Sequence, residues 1–442
     1  MTVSPNQTRD EGYVAFLARK ESRLPSWGLD CAPGDLPDTL APFQRHMTAW
    51  AIRTGRAAIF ADTGLGKTRM QLTWLDRMTA ANGRGLILAP LAVAQQTIRE
   101  AAKIGLTVEY VRDADEAALA HTPLLISNYD RLHLLDPQAF TAVVLDESSV
   151  LKDVTTKTRD ALIEAFRETP YRLCCTATPA PNDLTELANH AEFLGVATRR
   201  EMLSTYFVTD LQRGWRVRGH AADAMWRWVS RWALACRTPS DLGFDDAGYV
   251  LPPLSITPHL LPVNVAGEGE LFAAELGGVG GRAAVRRDTL AARAQRTIDL
   301  VTAEPAEPWL LWCGLNAEAD ALTEAIPGAV NVHGSLDADV KAKYLLGFAD
   351  GDVPVLVTKP GIAGHGMNWQ HCARMAFVGL GDSYEAYYQC IRRCWRYGQP
   401  RPVDVHLVLS QLEDQIAVNV RRKEATARTA LDSLIRAQRE AA

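Results

Sequence analysis

A short stretch near the N terminus combines the residue types that a phosphate chain requires. Residues 59–70 read IFADTGLGKTRM, with two glycines and a lysine–threonine pair directly after an apolar run. Gly64 and Gly66 allow the tight turn that aims backbone N–H groups at phosphate oxygens. Lys67 would reach the β and γ phosphates, and Thr68 would offer its hydroxyl to Mg2+. The stretch therefore predicts a nucleotide-binding loop between a buried strand and a helix.

The match to the general phosphate-binding pattern G-x-x-x-x-G-K-[ST] is incomplete. Ala61 stands where that pattern has its first glycine. An ordinary glycine turn between a strand and a helix is the alternative interpretation. Chemical partners elsewhere in the chain must decide between the two.

A pair of adjacent carboxylates supplies the first such partner. The stretch AVVLDESS, residues 142–149, is an apolar strand that ends in Asp146 and Glu147. In a nucleotide hydrolase one carboxylate holds the magnesium shell and the next positions or deprotonates the attacking water. We assign these roles to Asp146 and Glu147 in that order; a strand that ends in a solvated acidic turn is the alternative. The loop and the acidic pair together are far more specific than either one alone.

Two arginines far along the chain supply the second partner. The stretch YQCIRRCWRYGQ, residues 388–399, places Arg393 and Arg396 three residues apart, which predicts that both project from one helix face. Such arginines can neutralise charge on the γ-phosphate in the transition state. Because the sequence places them in a second lobe, hydrolysis would require the lobes to close. An Arg-rich helix with a solvated face is the alternative.

Short apolar runs that alternate with helix-like stretches predict the elements that position these groups. The first series is GLILAP, PLLISNYD, AVVLDESS and YRLCCTATP; the second is WLLWCG, AVNVHGS, VPVLVTKP, RMAFVGL and VDVHLVLS. Each series is typical of a parallel sheet with crossover helices. The predicted fold class is α/β, with two tandem RecA-like lobes, each a parallel sheet with flanking helices. A helical insertion and a C-terminal brace helix from about Gln411 complete it.

The length of 442 residues is sufficient for two cores of this kind. We predict an N-terminal segment over 1–39, a first lobe over 40–250 and a second lobe over 251–442 that includes the terminal helix. A Trp- and Arg-rich helical insertion falls at about 195–240 in the first lobe. The stretch YVLPPLSITP, residues 249–258, marks the break between the lobes because two adjacent prolines interrupt regular structure.

Composition narrows the class of protein. With 47% hydrophobic and 22% charged residues the chain has the average make-up of a globular protein, which excludes disorder and fibrous repeats. A net charge of −5 argues against a uniformly basic coat but allows local basic grooves. The N terminus lacks a signal-peptide pattern and no run is long enough to span a bilayer, so we expect a cytoplasmic protein without a membrane partner. The eight cysteines, without CxxC pairs, predict reduced thiols rather than a zinc site.

The ordered motifs resemble those of superfamily-two helicases, most closely the Swi/Snf-type DNA-translocating ATPases, in a short form of bacterial or phage type. The resemblance covers roughly residues 40–410. In the first lobe it is carried by PFQRHMTAWAIRTGRAAIFADTGLGKT, LILAPLAVAQQ, ISNYDRL and TATPAPNDLTELANHAEFLG. In the second lobe it is carried by NVHGSLDADVKAKYLLGF, VLVTKPGIAGHGMNWQ and YYQCIRRCWRYGQ.

This resemblance implies ATP and Mg2+ as cofactors, DNA as a partner, and a role for each matching residue. The ATP-binding set would be Gln44, as the reader of adenine, with Asp62, Thr63, Gly64, Leu65, Gly66, Lys67 and Thr68. The ligands of Mg2+ would be Thr68 and Asp146. The catalytic set would be Glu147, Gln389, Arg393 and Arg396. The residues that couple ATP to the nucleic acid would be Thr176, Thr178, Gly366 and Asn368.

The chain departs from the family pattern at two motifs. Ser148 and Ser149 replace the Ala-His pair that usually follows the acidic dipeptide, so the bridge from that position to Gln389 would be weaker or made differently. TATP in place of TGTP points to other branches of the superfamily, whereas RYGQ and LPP point back to the Swi/Snf branch.

Two basic stretches could contact nucleic acid. GWRVRGHAADAMWRWVSRWALACR, residues 214–237, would place Trp228 and Trp232 on one helix face and Arg227 and Arg231 on another, as a tracking or wedge element. A core tryptophan stripe with solvated arginines is the favoured alternative. GRAAVRRDTLAARAQR, residues 281–296, is a basic helix that would meet phosphates or only water.

The leading interpretation is an ATP-dependent motor that steps along double-stranded DNA through backbone contacts, which carry no sequence information. A helicase that separates strands or migrates branches is the nearest alternative. An ATP-gated DNA clamp with little turnover belongs to another class, and an intact Asp146–Glu147 pair argues against it. A small-molecule phosphotransferase would leave Arg393 and Arg396 unexplained.

Overall fold

The computed structural model describes residues 26–81, 83–153, 155–210, 214–262, 289–363 and 367–441. Two compact units are present. The first comprises the described residues up to Asp246 together with those from Ala425 onward, and the second comprises the residues from Ala247 to Glu424.

The first unit is built on a seven-stranded sheet in the order β3-β4-β2-β5-β6-β1-β9. All its neighbouring strands pair in parallel. Its strands are β1 (Arg56–Ala61), β2 (Gly85–Ala89), β3 (Glu109–Tyr110), β4 (Leu124–Asn128), β5 (Ala142–Asp146), β6 (Tyr171–Cys175) and β9 (Ala233–Cys236). The central strands β2 and β5 are buried along their whole length, as expected for apolar runs covered on both faces. The predicted parallel sheet is confirmed.

Eight α-helices of the described residues flank this sheet or follow it. They are α1 (Pro42–Thr54), α2 (Lys67–Thr79), α3 (Leu91–Lys103), α4 (Ala114–Leu119), α5 (Lys157–Ala165), α6 (Leu187–Leu194), α7 (Arg199–Tyr206) and α8 (Ala222–Val229). Local sequence sets several of their starts. Asp113 caps α4 by accepting a hydrogen bond from the Glu116 N–H at 2.9 Å, and Thr198 with Glu201 forms a capping box at the start of α7.

The Trp- and Arg-rich insertion differs from a single amphipathic helix. An antiparallel hairpin of β7 (Phe207–Asp210) and β8 (Gly214–Val217) lies between α7 and α8. Helix α8 ends at Val229, and the chain turns so that Trp232 O accepts a hydrogen bond from Ala58 N at 2.7 Å before entering β9. The prediction that Trp232 shares a helix face with Trp228 is therefore wrong, because pairing of β9 with β1 at the sheet edge outweighs helix continuation.

The two tryptophans nevertheless serve one core. Trp228 and Trp232 are buried, with ring centroids 5.5 Å apart, and Trp232 also contacts the Phe60 ring at 6.4 Å. Arg227 and Arg231 are exposed. These positions match the core alternative rather than the tracking element.

The second unit has a six-stranded parallel sheet in the order β10-β15-β14-β11-β13-β12. The strands are β10 (Leu254–Leu261), β11 (Trp309–Cys313), β12 (Ala329–Val332), β13 (Val355–Thr358), β14 (Arg374–Val378) and β15 (Val403–Ser410). The helices are α9 (Leu290–Ala303), α10 (Asn316–Ala325), α11 (Ala338–Asp350), α12 (Pro360–Ala363), α13 (Tyr384–Ile391) and α14 (Asp414–Ala441). The second predicted sheet is confirmed.

Strand β10 lies where the sequence indicated only a break. It begins after Pro252 and Pro253, and Pro258 lies within it. A proline fits this position because β10 is the edge strand of the sheet and needs no donor on its outer side. The paired prolines thus mark the start of a strand.

The basic stretch 281–296 is described only from Thr289 onward, where it forms α9. Arg293 on this helix is fully buried and its Nη2 lies 2.7 Å from Glu318 Oε1. This arginine faces neither phosphate nor water, because a buried carboxylate compensates its charge.

Helix α14 is divided between the two units. Residues of α14 up to Glu424 belong to the second unit, whereas those from Ala425 onward belong to the first, where Leu434 and Ile435 join its core. The sequence predicts instead that the whole helix belongs to the second lobe.

None of the described helices is long and apolar enough to cross a membrane.

Candidate nucleotide-binding and catalytic site

The glycine-rich loop joins the end of β1 to the start of α2. Gly64 has φ +92° and Gly66 has φ +81°, both in the left-handed region. A Cβ atom on Gly66 would fall 2.3 Å from Nε2 of Gln44, so the position has no room for a side chain. Asp62 N donates to Cys236 O at 2.9 Å, which anchors the loop to the neighbouring strand β9. The loop thus has the tight, backbone-lined shape that the sequence predicts.

Lys67 and Thr68 form the first residues of α2. Lys67 Nζ donates to Ala61 O at 2.9 Å and to Asp62 O at 3.4 Å. Its ammonium group therefore lies over the loop, at the helix end where the peptide dipoles already favour a negative ligand. The ammonium group of Lys67, the N terminus of α2 and the glycine turn therefore lie close together.

Gln44 links helix α1 to the same loop. Its Oε1 accepts a hydrogen bond from Ala41 N at 2.9 Å, and its Nε2 donates to Leu65 O at 2.9 Å. The side chain is 5% exposed. A primary amide has a second hydrogen and a second lone pair, so these two bonds do not exhaust it. The structure places Gln44 beside the loop, and its contact with adenine stays a prediction.

Asp146 is the last residue of β5 and is buried. Burial and, to a smaller extent, the adjacent Glu147 raise the pKa of its carboxyl to about 7 against the opposing charge of Lys67. A carboxylate in this setting lacks charge compensation, and a hard divalent cation is a suitable source of it. The residues present therefore fit Mg2+, with Asp146 as a carboxylate ligand and Thr68 as a hydroxyl ligand.

Glu147 adopts a strained backbone conformation. Its φ of +55° is the single positive value found for a non-glycine residue in the described segments. Such a conformation costs on the order of 1–3 kcal/mol and persists only where surrounding contacts enforce it. One of these contacts is the hydroxyl of Tyr129, which donates to the Asp146 carbonyl oxygen at 2.6 Å. Strain at the second residue of the acidic pair is a mark of a functional turn.

Thr176 and Thr178 lie just after strand β6, next to the acidic pair. Thr176 Oγ1 donates to Glu147 Oε2 at 3.5 Å, the long end of the hydrogen-bond range. Thr178 N donates to Thr176 Oγ1 at 3.1 Å, and Thr176 N donates to Ile59 O on β1 at 3.2 Å. The predicted coupling segment is thus in contact with the predicted water-orienting carboxylate.

A buried serine–histidine pair lies directly behind this turn. Ser148 Oγ is 3.2 Å from His190 Nε2, and His190 Nδ1 is 3.3 Å from Glu186 O. Because a carbonyl oxygen only accepts, Nδ1 carries the hydrogen and Nε2 accepts the serine hydroxyl. Burial lowers the pKa of His190 to about 4, so the ring is neutral at pH 7.

Sequence reasoning missed His190. It noted that Ser148 departs from the family pattern but named no partner for it. The two residues are 42 positions apart, and His190 occupies the inner face of α6, where the pattern predicts an ordinary core residue. The Ser148–His190 hydrogen bond attaches Ser148, the residue directly after Glu147, to helix α6.

In the second unit the helix prediction fails at the arginines. Gln389 is on α13, but α13 ends at Ile391, and Arg393 and Arg396 lie in the turns beyond it. The residue after the helix, Arg392, is buried, and its guanidinium lies 5.0 Å from the Trp395 ring centroid. Three residues of spacing therefore do not put these arginines on one helix face.

Tertiary contacts still bring these residues together. Arg393 Nε donates to Gln389 O at 3.0 Å and its Nη1 donates to Met367 O at 3.2 Å. Arg396 Nη1 donates to Asn368 Oδ1. Burial, together with the positive charges of Arg393 and Arg392, lowers the pKa of Arg396 to about 9. Gly366 lies outside the described residues.

Each unit therefore has its own functional cluster. The first holds a glycine loop with a cation, a buried carboxylate, and a strained glutamate tied to two threonines. The second holds crowded guanidinium groups whose mutual repulsion an anionic ligand would relieve. The first can bind a magnesium-bound phosphate chain and orient water; the second can stabilise developing phosphate charge.

The buried histidine should make the protein sensitive to mild acid. The native pKa of about 4 lies below the unfolded value of about 6.5, so the unfolded state binds the proton first. His190 should thus lower the free energy of unfolding as pH falls from 6.5 to 4, by up to roughly 3 kcal/mol. His190→Leu should remove this part of the pH dependence, as measured by urea unfolding at pH 7.0 and 4.5.

The comparison of two pH slopes isolates the histidine, because Asp146 and the other carboxylates titrate in both proteins. The free serine hydroxyl left by the substitution adds an offset that does not depend on pH. An identical slope in wild type and His190→Leu would show that the imidazole is not buried as a neutral ring.

The chain is similar to known proteins in one domain and, more weakly, over most of its length. Residues 41–187, which contain the loop, the acidic pair and both threonines, match the DEAD/DEAH box helicase family. Protein p41 of the Acyrthosiphon pisum secondary endosymbiont phage 1 is 23% identical over 91% of this chain and 99% of its own length. The Sulfolobus solfataricus SWI2/SNF2 ATPase core, solved in complex with dsDNA, is 17% identical with a TM-score of 0.45, over 93% of this chain and 96% of that one. Residues 41–187 are thus similar to the DEAD/DEAH box helicase domain, a type of domain found in nucleic-acid-dependent ATPases.

Proposed function

We propose that this chain is an ATPase motor that uses ATP and Mg2+ to step along double-stranded DNA. The observation that carries the proposal is the contact of Thr176 Oγ1 with Glu147 Oε2 at 3.5 Å. It joins the carboxylate that would orient the attacking water to the segment that would respond to the nucleic acid. A clamp that only binds ATP has no use for a strained, hydrogen-bonded glutamate at this position.

The glycine loop would hold the phosphate chain of ATP. Gly64 and Gly66 aim backbone N–H groups at the phosphates, and Lys67 exchanges its bonds to loop carbonyls for phosphate oxygens. Thr68 and Asp146 would hold Mg2+, which would supply charge neutralisation to the phosphate chain. Gln44, with its remaining hydrogen-bonding capacity, contacts the adenine. The raised pKa of Asp146 supports this assignment, because a bound cation stabilises the carboxylate.

Asp62, Thr63 and Leu65 contribute backbone to the same loop. Thr63 N donates to Asp62 Oδ1 at 2.5 Å, and Leu65 N donates to Asp62 O at 3.3 Å. These internal bonds hold the turn in one shape, so little ordering entropy is lost when phosphate binds.

Glu147 would position the water that attacks the γ-phosphate and accept its proton. The oxygen Oε2 faces Thr176, and Thr176 in turn receives the Thr178 N–H. A shift of the 176–178 segment would therefore move the carboxylate. We propose that nucleic acid acts on hydrolysis through this link.

Gln389, Arg393 and Arg396 of the second unit would act on the same nucleotide during turnover, with Gly366 and Asn368 relaying the change. Arg396 is the strongest candidate for the transition-state contact. Its Nη1 is held by Asn368, and its Nε has no hydrogen-bond partner among the described residues. Crowding with Arg392 and Arg393 makes an added negative charge favourable at this position.

The choice of double-stranded DNA as track follows from the resemblance of the motif series to Swi/Snf-type translocases. Contacts would be made to the sugar-phosphate backbone without sequence preference, so binding should weaken as salt rises. The phage origin of the relative supports a setting in the cytoplasm of a bacterial or phage-infected cell. A helicase that separates strands shares all of the chemistry and differs in what it does to the duplex.

Glu147→Gln should abolish turnover without loss of binding. The amide cannot accept the proton of the attacking water, whereas Asp146 and Thr68 still hold the metal. We expect kcat to fall by about 10^2 to 10^4 and the Kd for a fluorescent ATP analogue to change less than threefold.

Lys67→Ala is the matched control, because it removes the cation of the same site. It should weaken analogue binding as well as turnover, while circular dichroism stays that of the wild type. Hydrolysis by Glu147→Gln within a few-fold of wild type would assign water activation to another residue, and full turnover in Lys67→Ala would refute the nucleotide site.

Arg396→Ala should cost the DNA-stimulated ATPase rate far more than it costs nucleotide affinity. An arginine that meets charge only in the transition state contributes about 10^3 to 10^5 in rate in related phosphoryl transfers. Arg401, which is bonded to Glu307 at 2.8 Å, offers a control arginine in the same unit. Arg401→Ala should retain stimulation, and equal loss in both variants would contradict the assigned role.

The translocase and the helicase are separated by two assays run on the same preparation. Displacement of a triplex-forming strand reports movement along intact duplex, and fork unwinding reports strand separation. Triplex displacement without unwinding supports the translocase. Unwinding that requires a single-stranded tail supports the helicase, and ATPase activity indifferent to every nucleic acid would support the clamp.

A further inference from the structure

Trp215 is the one exposed tryptophan among the eleven in the chain, all of which lie in described segments. The other ten are buried or half-buried. Trp215 is 42% exposed and is the second residue of strand β8, near the end of the hairpin that lies away from the core. An indole is the largest apolar side chain, and its exposed ring offers a flat surface on which a ligand can stack.

The β7–β8 hairpin carries this tryptophan away from the core. Phe207 and Val217 are cross-strand partners at the base of the hairpin, where Phe207 is buried and Val217 packs against the core of the first unit. Trp215 pairs with Thr209 two positions farther out. Because side chains repeat every second residue, Trp215 lies on the same face as Val217. The apolar face of the hairpin thus continues past the edge of the core and ends in an exposed indole.

The segment of the sequence that contains the hairpin and helix α8 is rich in arginine. The described residues from Phe207 to Arg231 include the arginines 216, 218, 227 and 231 but only the aspartates 210 and 223. Arg216 is 61% exposed at its side chain and lies 3.7 Å from Asp210. In a chain with a net charge of −5, this segment of the sequence carries a local excess of positive charge, and Arg216 is the direct neighbour of Trp215 in β8.

We propose that the β7–β8 hairpin is a nucleic-acid contact in which Trp215 stacks on an unpaired base while neighbouring arginines meet phosphates. This inference rests on the proposed function and names the element that meets a displaced strand or a duplex end. An aromatic ring and guanidinium groups recognise every base and phosphate alike, as a motor without sequence preference requires. The exposed indole is the contact, whereas Trp228 and Trp232 are core.

Intrinsic fluorescence offers a direct test, since one exposed indole is accessible to aqueous quenchers. Titration of the full chain with a 20-nucleotide oligothymidylate should change the emission and protect Trp215 from iodide. Trp215→Ala should remove the iodide-sensitive part and raise the Kd for the oligonucleotide about 5- to 100-fold, as expected for loss of one stacked base. Trp215→Phe should retain most of the affinity.

Leu119→Ala is the matched control, because Leu119 is 78% exposed in the same unit, on helix α4. It should leave the Kd unchanged. Neither substitution removes buried contacts of the core, so thermal unfolding should be that of the wild type in both. Arg216→Ala should weaken binding mostly at low salt, since a phosphate contact contributes through counterion release.

The outcomes separate this inference from the proposed function. Wild-type protein that binds the oligonucleotide, with Trp215→Ala equal to Leu119→Ala, overturns the hairpin contact and leaves the motor intact. Binding that disappears for duplex but not for single strands in Trp215→Ala also overturns the stacking on unpaired bases. A wild-type chain that binds neither form of DNA removes the proposed function and the hairpin contact together.

Discussion

The site depends on one constraint, the order β5-β6-β1 of three neighbouring parallel strands. In a parallel sheet all strands deliver their carboxyl ends to the same edge. The glycine loop follows β1, the acidic pair ends β5, and Thr176 follows β6 between them. Residues far apart in the sequence, such as Glu147 and Thr176, therefore lie close together at one edge of the sheet. The backbone bond from Thr176 N to Ile59 O extends this register beyond the strands themselves.

Electrostatics then determines what the edge can bind. The sheet buries Asp146, and with Glu147 beside it the carboxyl has a pKa near 7, which Lys67 moderates. Such a group gains most from a cation, and the loop beside it gains most from an anion. A magnesium-bound phosphate chain satisfies both requirements at once. The neutral Ser148–His190 pair stabilises the turn behind them without adding a charge that would compete.

The second unit solves a different electrostatic problem. Arg392 is compensated by aromatic rings at 5.0 to 5.8 Å, while Arg393 is compensated by the carbonyl oxygens of Gln389 and Met367. Arg396 receives one amide oxygen, that of Asn368. Arg392 and Arg393 are buried whereas Arg396 is half-buried, so Arg396 is the arginine of the three that an added anionic group reaches most easily.

Local patterns in the sequence determined the elements whose cause is local. The glycine loop, the acidic dipeptide and the apolar strands were predictable. Each depends on the residue types within a short stretch: glycines permit the turn, adjacent carboxylates supply the charge, and a run of apolar residues indicates a buried strand. The sequence also named Gln44, Thr176 and Thr178 through their motifs, although not their partners.

Tertiary structure decided what depends on distant contacts. Pairing of β9 with β1 ended the helix that the Trp-rich pattern indicated, and tertiary contacts of Arg393 and Arg396 hold these residues in the turns that follow α13. The partner of Ser148, the strand after the two prolines and the exposure of Trp215 were likewise settled by packing. A helical period assigns residues to a face, but only the assembled core determines which face is covered, because burial is a property of the neighbours and not of the residue.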